Sequence, residues 1–300
     1  MQIHFLGHPE KEAIRHYLPG WVDWLLQQGK SVGIGALLAP VLPANLRQRV
    51  TVYQDERELV RQGDLLVTLG GDGTILLAAR LMGAVNVPIM GVKFGGLGFL
   101  ADVSPDEFED AFREVSQGHA MRQQRMVLEG WIREAGEKTH QQAIGFALNE
   151  FAVLREHRAN VCRLSVWVDD QPVCTYIADG LIIATPTGST AYSMAAGGPL
   201  LAPMLRSMVL TPICPHSLTQ RPLVIGDHSK VRVEAAKGES GRLIISADGQ
   251  ELEILSHGKS LVVKKAAHTI TLLQRAGHTY FDVLRAKLNW GDDIRQKNDE

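Results

Sequence analysis

The sequence contains little that would tie it to a membrane, to nucleic acid or to an oxidising compartment. It has 3 cysteines in 300 residues, an odd number without a C-x-x-C pair, which favours a reducing cytoplasm over a disulfide framework. The formal net charge is −2, so composition gives no electrostatic case for nucleic acid or an anionic membrane as partner. The longest apolar runs, such as LLVTLGG and GLIIATP, are too short to span a bilayer, and the first residues lack the basic and apolar segments of a signal peptide.

Two common nucleotide-binding motifs and a metal-binding pattern are also missing. The P-loop pattern G-x-x-x-x-G-K-[ST] occurs nowhere, and the dinucleotide fingerprint G-x-G-x-x-G fails because GIGALL lacks the third glycine. The 11 histidines form no recognisable metal cluster. His4 and His8 are four residues apart, but on a predicted strand and turn that spacing does not converge on a metal ion. No metal site made of protein side chains is therefore predicted.

The first hundred residues show an alternation of strand and helix patterns. Strands are predicted in QIHFLG, KSVGIGA, RVTVYQ, DLLVTL and VPIMGV, and helices in GWVDWLLQQG and from Thr74 onward. This alternation is typical of a parallel sheet with helices packed on it. The segment SPDEFEDAFREVSQG adds a helix, with a capping box of Ser104 and Glu107 and a stop at Gly118. Trp21, Trp24 and Phe108 are predicted to lie in the core.

After this helix the sequence changes to the alternating pattern of β-strands. NVCRLSVWVDDQPVCTYIA has apolar residues at every second position, with DDQP as its hairpin turn. Helices are predicted only in STAYSMAAGG and in the last segment, HTYFDVLRAKLNWGDD. The predicted fold class is α/β plus mostly-β. A Rossmann-like α/β domain comprises residues 1–101 and about 272–300, and a larger β-sandwich-like domain comprises 102–271. The C-terminal helix is expected to return to the first domain.

A glycine-rich turn joins a predicted strand to a predicted helix in LVTLGGDGTILLAAR, residues 67–81. Such a turn lies at the carboxyl edge of a parallel sheet, where ligands bind, and the new helix offers free N–H groups and a positive dipole end. Glycines allow positive φ and close approach of a ligand. Gly70, Gly71, Gly73 and Thr74 therefore fit a phosphate cradle. A tight turn that uses Asp72 as a helix cap fits equally well at this point.

Asp72 is unusual in a phosphate cradle, since phosphates repel a carboxylate. It could hold Mg²⁺, or it could accept the proton of a hydroxyl that attacks a phosphoryl group. A second glycine-rich turn, GVKFGGLGFL at residues 91–100, follows the next predicted strand. Two successive strands that end in such turns indicate a shared cleft.

A third motif, DGLIIATPTGSTAYSMAAGGP at residues 179–199, places a polar turn between a strand and a short helix. Thr187, Ser189 and Thr190 could cap that helix or bind a base or a sugar. GGDGT alone resembles a wide group that includes diacylglycerol, sphingosine and phosphofructo-kinases. Its combination with Asn149-Glu150, GGLGFL, TPTGSTAYS and DGQE (residues 248–251) closely resembles the NAD kinase family over most of the chain.

The resemblance implies an activity and a set of site residues. The implied enzyme is a phosphotransferase that moves the γ-phosphoryl group of ATP to the 2′-hydroxyl of the adenosine ribose of NAD, with Mg²⁺ carried by the nucleotide. A homodimer or homotetramer is implied, and neither nucleic acid nor a membrane is expected as partner. Asp72 is placed beside the 2′-hydroxyl, and Gly70, Gly71, Gly73 and Thr74 contact phosphates. The implied NAD-binding residues are Asn149, Glu150, Asp179, Thr187, Thr190, Ala191, Tyr192, Ser193 and Gln250.

Because Asp72 and the NAD-binding residues fall in different predicted domains, the active site is expected in a cleft between them, to which a neighbouring subunit could contribute. Two positions depart from the family pattern. Lys93 stands where many relatives have asparagine, and it could add a positive charge near phosphates or simply be solvated. Ile177 stands where several relatives have arginine, so any preference between NAD and NADH stays open. Arg155 and Arg158 lie in a predicted solvated loop from which either could reach a phosphate.

Two other functions compete with this interpretation. A lipid kinase of the diacylglycerol or sphingosine type would share GGDGT, but TPTGSTAYS and the lack of an apolar or basic membrane-facing stretch argue against it. A non-catalytic sensor of NAD or NADP would share the binding residues. Asp72 argues against a sensor, since a pure binder gains nothing from a carboxylate beside phosphates.

Overall fold

The computed structural model describes residues 1–96, 98–134, 143–156, 161–237, 239, 241–275, 277 and 279–289. The chain divides into two compact units. Unit 1 comprises Met1–Gln124 and Ile270–Glu300, and unit 2 comprises Arg125–Thr269. The predicted combination of an α/β part and a mostly-β part is confirmed. Among the described residues, no helix combines the length and apolar character needed to cross a membrane.

The secondary-structure elements are numbered in chain order. The strands are β1 (Gln2–Gly7), β2 (Ser31–Gly35), β3 (Thr51–Tyr53), β4 (Leu65–Gly70), β5 (Ile89–Lys93), β6 (Met121–Glu134), β7 (Ala143–Ala147), β8 (Glu150–Arg155), β9 (Cys162–Val168), β10 (Gln171–Ala178), β11 (Gly180–Ala184), β12 (Ser207–Ile213), β13 (Leu223–Gly226), β14 (Val231–Ala235), β15 (Leu243–Ala247), β16 (Gln250–Leu255) and β17 (Lys259–Gln274). The helices are α1 (Glu12–Gln27), α2 (Ala44–Arg47), α3 (Glu56–Gln62), α4 (Asp72–Met82), α5 (Phe108–Ser116), α6 (Tyr192–Ala195) and α7 (Tyr280–Leu288).

Unit 1 contains the predicted parallel sheet. Its strand order is β3-β2-β1-β4-β5, all neighbours are parallel, and Leu272 and Leu273 of β17 pair in parallel with β5. Every residue of β4 is buried, which fits a strand covered on both faces. β4 is therefore an interior strand of the sheet, and the glycine-rich turn begins at its carboxyl end.

The boundary predicted at residues 101/102 is corrected to 124/125. The reason is α5, whose Phe108 stacks on Trp21 of α1 with ring centroids 4.3 Å apart and whose Phe112 meets Trp24 edge-on. Trp21, Phe108 and Phe112 are buried in one core cluster with β1, and the partly buried Trp24 packs against it, so α5 belongs to unit 1. The predicted capping box of Ser104 and Glu107 is present, and it starts a turn of 3₁₀ helix at Pro105–Glu107 that leads into α5.

The C-terminal helix α7 belongs to unit 1, as predicted. Thr279 begins it with a capping box, in which its side chain accepts a hydrogen bond from the N–H of Asp282 and the Asp282 carboxylate binds back. Val283 and Leu284 are buried, and Asn289 ends the helix in the left-handed conformation. The helix therefore has one apolar side and an exposed side that carries charged residues.

Unit 2 consists of antiparallel strands. One group has the order β10-β9-β14-β17, and a six-stranded sheet has the order β13-β12-β11-β8-β15-β16. Alternate side chains of both groups share one apolar core, which agrees with the β-sandwich-like prediction. The predicted DDQP hairpin is confirmed between β9 and β10, where Asp169 and Asp170 have φ of 51° and 62°. The sequence also predicts a turn at EAGEK, residues 134–138, and the last four of these lie outside the described residues.

Candidate active site

The GGDGT turn lies where β4 ends at Gly70 and α4 begins at Asp72. A Cβ atom on Gly70 would collide with the hydroxyl of Thr74, so only glycine fits there. Cβ atoms on Gly71 and Gly73 would meet no protein atom within 4 Å. The space above these two glycines is open to a ligand. It lies at the N-terminus of α4, the positive end of the helix dipole, which favours anionic groups.

The positive φ expected at these glycines is not found. Gly70, Gly71 and Gly73 are not among the residues with positive φ, and Gly71 has φ −117° and ψ −163°, an extended conformation that any residue adopts. The strand runs directly into the helix without a left-handed residue. These glycines are therefore explained by close packing at Gly70 and by open space at Gly71 and Gly73.

The carboxylate of Asp72 binds the backbone of the second glycine-rich turn. Its Oδ2 accepts a hydrogen bond from the N–H of Phe99 at 2.8 Å, and its Oδ1 accepts from Leu100 at 3.0 Å and Ala101 at 3.3 Å. A Cβ atom on Gly98 would collide with this carboxylate, so glycine at that position lets the loop close over it. The two predicted turns are thus joined through Asp72, a role that the sequence did not indicate.

Asn149 and Glu150 in unit 2 are held in the same way. The carboxylate of Asp248, in the turn between β15 and β16, accepts hydrogen bonds from the N–H groups of Leu148 at 2.8 Å, Asn149 at 2.8 Å and Glu150 at 3.1 Å. Asp248 lies in DGQE, yet sequence reasoning selected Gln250 from that motif. A signal was available, since Asp-Gly favours the left-handed turn observed here, with φ of 47° and 77°.

The TPTGST turn packs against the other side of Asn149. The Thr185 hydroxyl donates to the carbonyl of Leu148 at 2.6 Å, and the Thr185 N–H donates to the carbonyl of Asn149 at 2.8 Å. A Cβ atom on Gly188 would overlap the Asn149 backbone, so glycine permits this close approach. The dipeptide Asn149-Glu150 is thereby fixed between two turns that are far apart in sequence.

Glu150 is buried, and its Oε2 has no hydrogen-bond partner within the described protein atoms. Burial, reinforced by the nearby carboxylate of Asp248, raises the pKa of Glu150 to about 8. At neutral pH this side chain is therefore mainly a neutral carboxylic acid. A carboxylate can only accept hydrogen bonds, whereas the neutral acid of Glu150 can also donate one.

Asp179 lies between β10 and β11, and its Oδ1 forms an ion pair with Arg155 at 2.9 Å. Arg155 is thus bound to a predicted site residue and is not in a solvated loop, while Arg158 lies outside the described residues. The Tyr192 side chain is close to the same group: burial, then Cys214, Glu150 and Asp179, raise the pKa of its hydroxyl. Unit 2 therefore brings Glu150, Asp179 and Tyr192 together.

The remaining predicted residues of unit 2 differ in what they can offer a ligand. Thr187 is buried and does not cap the following turn with its side chain, and the Thr190 hydroxyl donates to the Thr187 carbonyl at 3.1 Å. Ser193 is fully buried, and its hydroxyl is hydrogen-bonded to that of Thr211 at 2.8 Å, which is a packing role. Ala191 is half-buried, and Gln250 is exposed at the start of β16.

Comparison with known proteins identifies the family. Residues 5–120 match the ATP-NAD kinase N-terminal domain, and residues 148–274 match the ATP-NAD kinase C-terminal domain. The chain belongs to the NAD kinase family. It is 35% identical over 292 residues to the NAD kinase of Shewanella piezotolerans, covering 97% of this chain and 92% of that one. It is 40% identical over 232 residues to the NAD kinase of Bacteroides fragilis, covering 77% and 78%.

Solved structures of the family agree with the fold. The crystal structure of yeast NADH kinase complexed with NADH superposes with a TM-score of 0.87 at 26% identity, covering 98% of this chain and 89% of that one. The NAD kinase from Archaeoglobus fulgidus in complex with ATP superposes with a TM-score of 0.71 at 23% identity, covering 97% and 98%. The predicted family and fold class are confirmed.

Proposed function

We propose that the protein is an NAD kinase, which transfers the γ-phosphoryl group of ATP to the 2′-hydroxyl of the adenosine ribose of NAD and releases NADP and ADP. The observation that carries the proposal is the GGDGT turn. It holds a fixed carboxylate at the carboxyl end of the central strand, beside open space above Gly71 and Gly73. Membership of the NAD kinase family supports the choice of substrates.

Asp72 acts in this proposal as the proton acceptor. A carboxylate offers about four lone-pair positions, and three N–H groups occupy three of them, which leaves one position on Oδ2 for a substrate hydroxyl. The O2′–P bond forms as the bond from the γ-phosphorus to the bridging oxygen of ADP breaks, and the hydroxyl proton passes to Asp72. Positioned general bases contribute about 10²–10⁴-fold to a rate.

Recognition of NAD is assigned to unit 2. Phosphates are common to all nucleotides, so the phosphate-binding turn cannot select NAD. Asn149 offers an amide donor and acceptor, neutral Glu150 offers a donor and an acceptor, and Asp179 offers acceptors, which together suit a base and ribose hydroxyls. Thr187, Thr190, Ala191 and Tyr192 remain candidates for the wall around the base, and Ser193 supports that wall from within.

Mg²⁺ enters in this proposal as part of the MgATP substrate. Magnesium in nucleotide-dependent enzymes is held largely by phosphate oxygens and water, with one or two carboxylates. Asp72 fits a proton acceptor better than a metal ligand, because its oxygens already accept three N–H bonds. Assembly as a homodimer or homotetramer remains a proposal that follows from the family resemblance.

The test is an assay that couples NADP formation to a dehydrogenase specific for NADP, with NAD, ATP and Mg²⁺ as substrates. We expect NADP to form in proportion to enzyme and to depend on all three components. Incubation with a diacylglycerol dispersion in place of NAD should give no phosphorylated lipid. Phosphorylation of the lipid without formation of NADP would favour the lipid-kinase alternative. Tight binding of NAD without turnover would favour the sensor alternative. The family comparisons support neither alternative.

A further inference from the structure

Lys287 reaches the GGDGT turn from the last turn of α7. Its Nζ lies 3.9 Å from Oδ2 of Asp72 and 4.5 Å from the centroid of the Phe99 ring. The N–H of Phe99 donates to the same Oδ2. One residue of the second glycine-rich turn thus binds the carboxylate through its backbone and the ammonium through its ring. The GGDGT motif contains no basic residue, so α7 brings in a cation that the motif lacks.

Stability does not explain the position of Lys287. About a third of its side chain and 28% of that of Asp72 are exposed, and ion pairs of this kind add little to folding. The 3.9 Å between Nζ of Lys287 and Oδ2 of Asp72 is longer than a hydrogen bond, so the ammonium does not donate a hydrogen bond to Asp72. Contact with the face of the Phe99 ring favours a cation at that point. An ammonium has three N–H donors, so this contact does not use all of them.

We propose that the Lys287 ammonium contacts the phosphoryl group as it passes from ATP to NAD, an inference that rests on the proposed function. The O2′–P bond forms, the bond to ADP breaks with its electron pair left on the departing oxygen, and the 2′-hydroxyl proton goes to Asp72. Lys287 stays protonated throughout. Negative charge spreads over the phosphoryl oxygens during this transfer, and a fixed cation stabilises it. The same cation offsets the repulsion between Asp72 and the incoming phosphates.

The test compares three variants. Lys287→Met removes the charge and keeps much of the length, Lys287→Arg keeps the charge, and Arg285→Met removes a cation from the same helix that pairs with Asp282 instead. A lost charge-assisted hydrogen bond predicts that kcat of Lys287→Met falls about 10- to 150-fold. We expect the KM for NAD and the inhibition constant of ADP to change less than about threefold, because neither ligand carries the transferred group. Lys287→Arg should recover most of kcat, and Arg285→Met should match the wild type.

Each other outcome overturns a defined part of the inference. If Lys287→Met keeps kcat within about twofold of the wild type, the lysine does not contact the transferred group. If Lys287→Arg is as slow as Lys287→Met, the positive charge is not what matters. If ADP binding weakens as much as turnover, Lys287 holds the resting nucleotide and not the phosphoryl group in transit. Absence of NADP formation by the wild type would instead refute the proposed function, so the two failures are distinguishable.

Discussion

Asp72 and Asp248 use their carboxylates alike, each accepting hydrogen bonds from three successive backbone N–H groups. Each therefore fixes the shape of a loop, whatever else it does. Replacement by asparagine keeps the size of the side chain but turns one acceptor oxygen into an NH₂ group that faces a backbone donor. Leaving a buried donor unsatisfied typically costs about 1–3 kcal/mol, so both substitutions should lower stability somewhat.

Comparing the two substitutions distinguishes the loss of a proton acceptor from the loosening of a loop. Asp72→Asn should lower kcat about 10²-fold or more, because the proton acceptor is lost as well as the loop contact. Asp248→Asn loosens the Asn149-Glu150 segment, so it should raise the KM for NAD and change kcat much less. Steady-state kinetics with thermal melting curves would measure both effects. Near-normal turnover of Asp72→Asn would exclude this aspartate as the base.

Glu150 predicts a pH dependence of stability. Its folded-state pKa is raised from 4.5 to about 8, so the folded protein holds a proton that the unfolded chain has already released. Stability from this group is complete below the unfolded pKa and declines as pH rises towards 8, by about 1.4 kcal/mol per pH unit. Glutamine cannot ionise, so Glu150→Gln should remove this decline.

The measurement is urea unfolding of both proteins at about pH 6 and about pH 8. Between about pH 6 and about pH 8, the free energy of unfolding of Glu150→Gln relative to the wild type should rise by about 2 kcal/mol. The reason is that the wild type loses the stabilising contribution of protonated Glu150 over this range. Parallel changes in the two proteins would mean that Glu150 is ionised in the folded state at neutral pH, and its assignment as a hydrogen-bond donor would then be withdrawn.

At the scale of the element, the turn between β4 and α4 contains two kinds of glycine: Gly70 is closely packed against Thr74, and Gly71 faces open space. Gly71→Val should fold, since valine favours the extended conformation found there, but its methyl groups would fill the open space where phosphates are proposed to bind. Gly70→Val should destabilise the protein, because its Cβ collides with Thr74. Circular dichroism should therefore show that Gly71→Val is folded. Steady-state kinetics should show that its turnover with ATP is at least about tenfold slower than that of the wild type.

A folded and fully active Gly71→Val would mean that the turn does not approach a phosphate. An unfolded Gly71→Val would contradict the conformational argument instead. Gly70→Val serves as the contrast, since it should melt at a lower temperature whether or not a nucleotide is bound.

Local signals in the sequence predicted many of these elements. Ser104 and Glu107 marked the start of α5, Asp169-Asp170 marked a hairpin, and the alternation of strands and helices indicated the parallel sheet. Helix α3 was not predicted, although Asp55 caps it, because its seven residues bury only Leu59 and Val60 and show little periodicity. Signals confined to a few neighbouring residues are readable when the element is long or its turn chemistry is specific.

The candidate site was predictable only where it lies in one motif. The resemblance to the NAD kinase family selected Asp72, Asn149 and Glu150, and the structure shows which groups hold the Asp72 carboxylate and the Asn149-Glu150 backbone. The partners come from remote parts of the chain: Phe99–Ala101 for Asp72, Asp248 for Asn149 and Lys287 for the GGDGT turn. Their contacts depend on the folded topology and on loop closure, so spacing in the sequence does not encode them.

At the scale of the whole molecule, the proposed roles are divided between the two units. The residues proposed for catalysis and phosphate binding lie in unit 1, and those proposed to read the base and sugar hydroxyls lie in unit 2. Such a division allows affinity for NAD to change without loss of the transfer chemistry. The Arg155–Asp179 ion pair and the Asp248 turn would adjust recognition from within unit 2.

This division predicts how substitutions in unit 2 affect the two substrates. Asn149→Ala and Asp179→Ala each remove one proposed partner of NAD, so the KM for NAD should rise about 5- to 150-fold, the equivalent of about 1–3 kcal/mol. The KM for ATP should change much less.

Arg242→Ala, which removes an exposed cation paired with Glu156 in the same unit, is the matched control and should leave both KM values near those of the wild type. Steady-state kinetics with each substrate varied in turn would measure all four proteins. If Asn149→Ala and Asp179→Ala weaken ATP and leave NAD unchanged, unit 2 reads the phosphoryl donor, and the roles assigned to the two substrates must be exchanged.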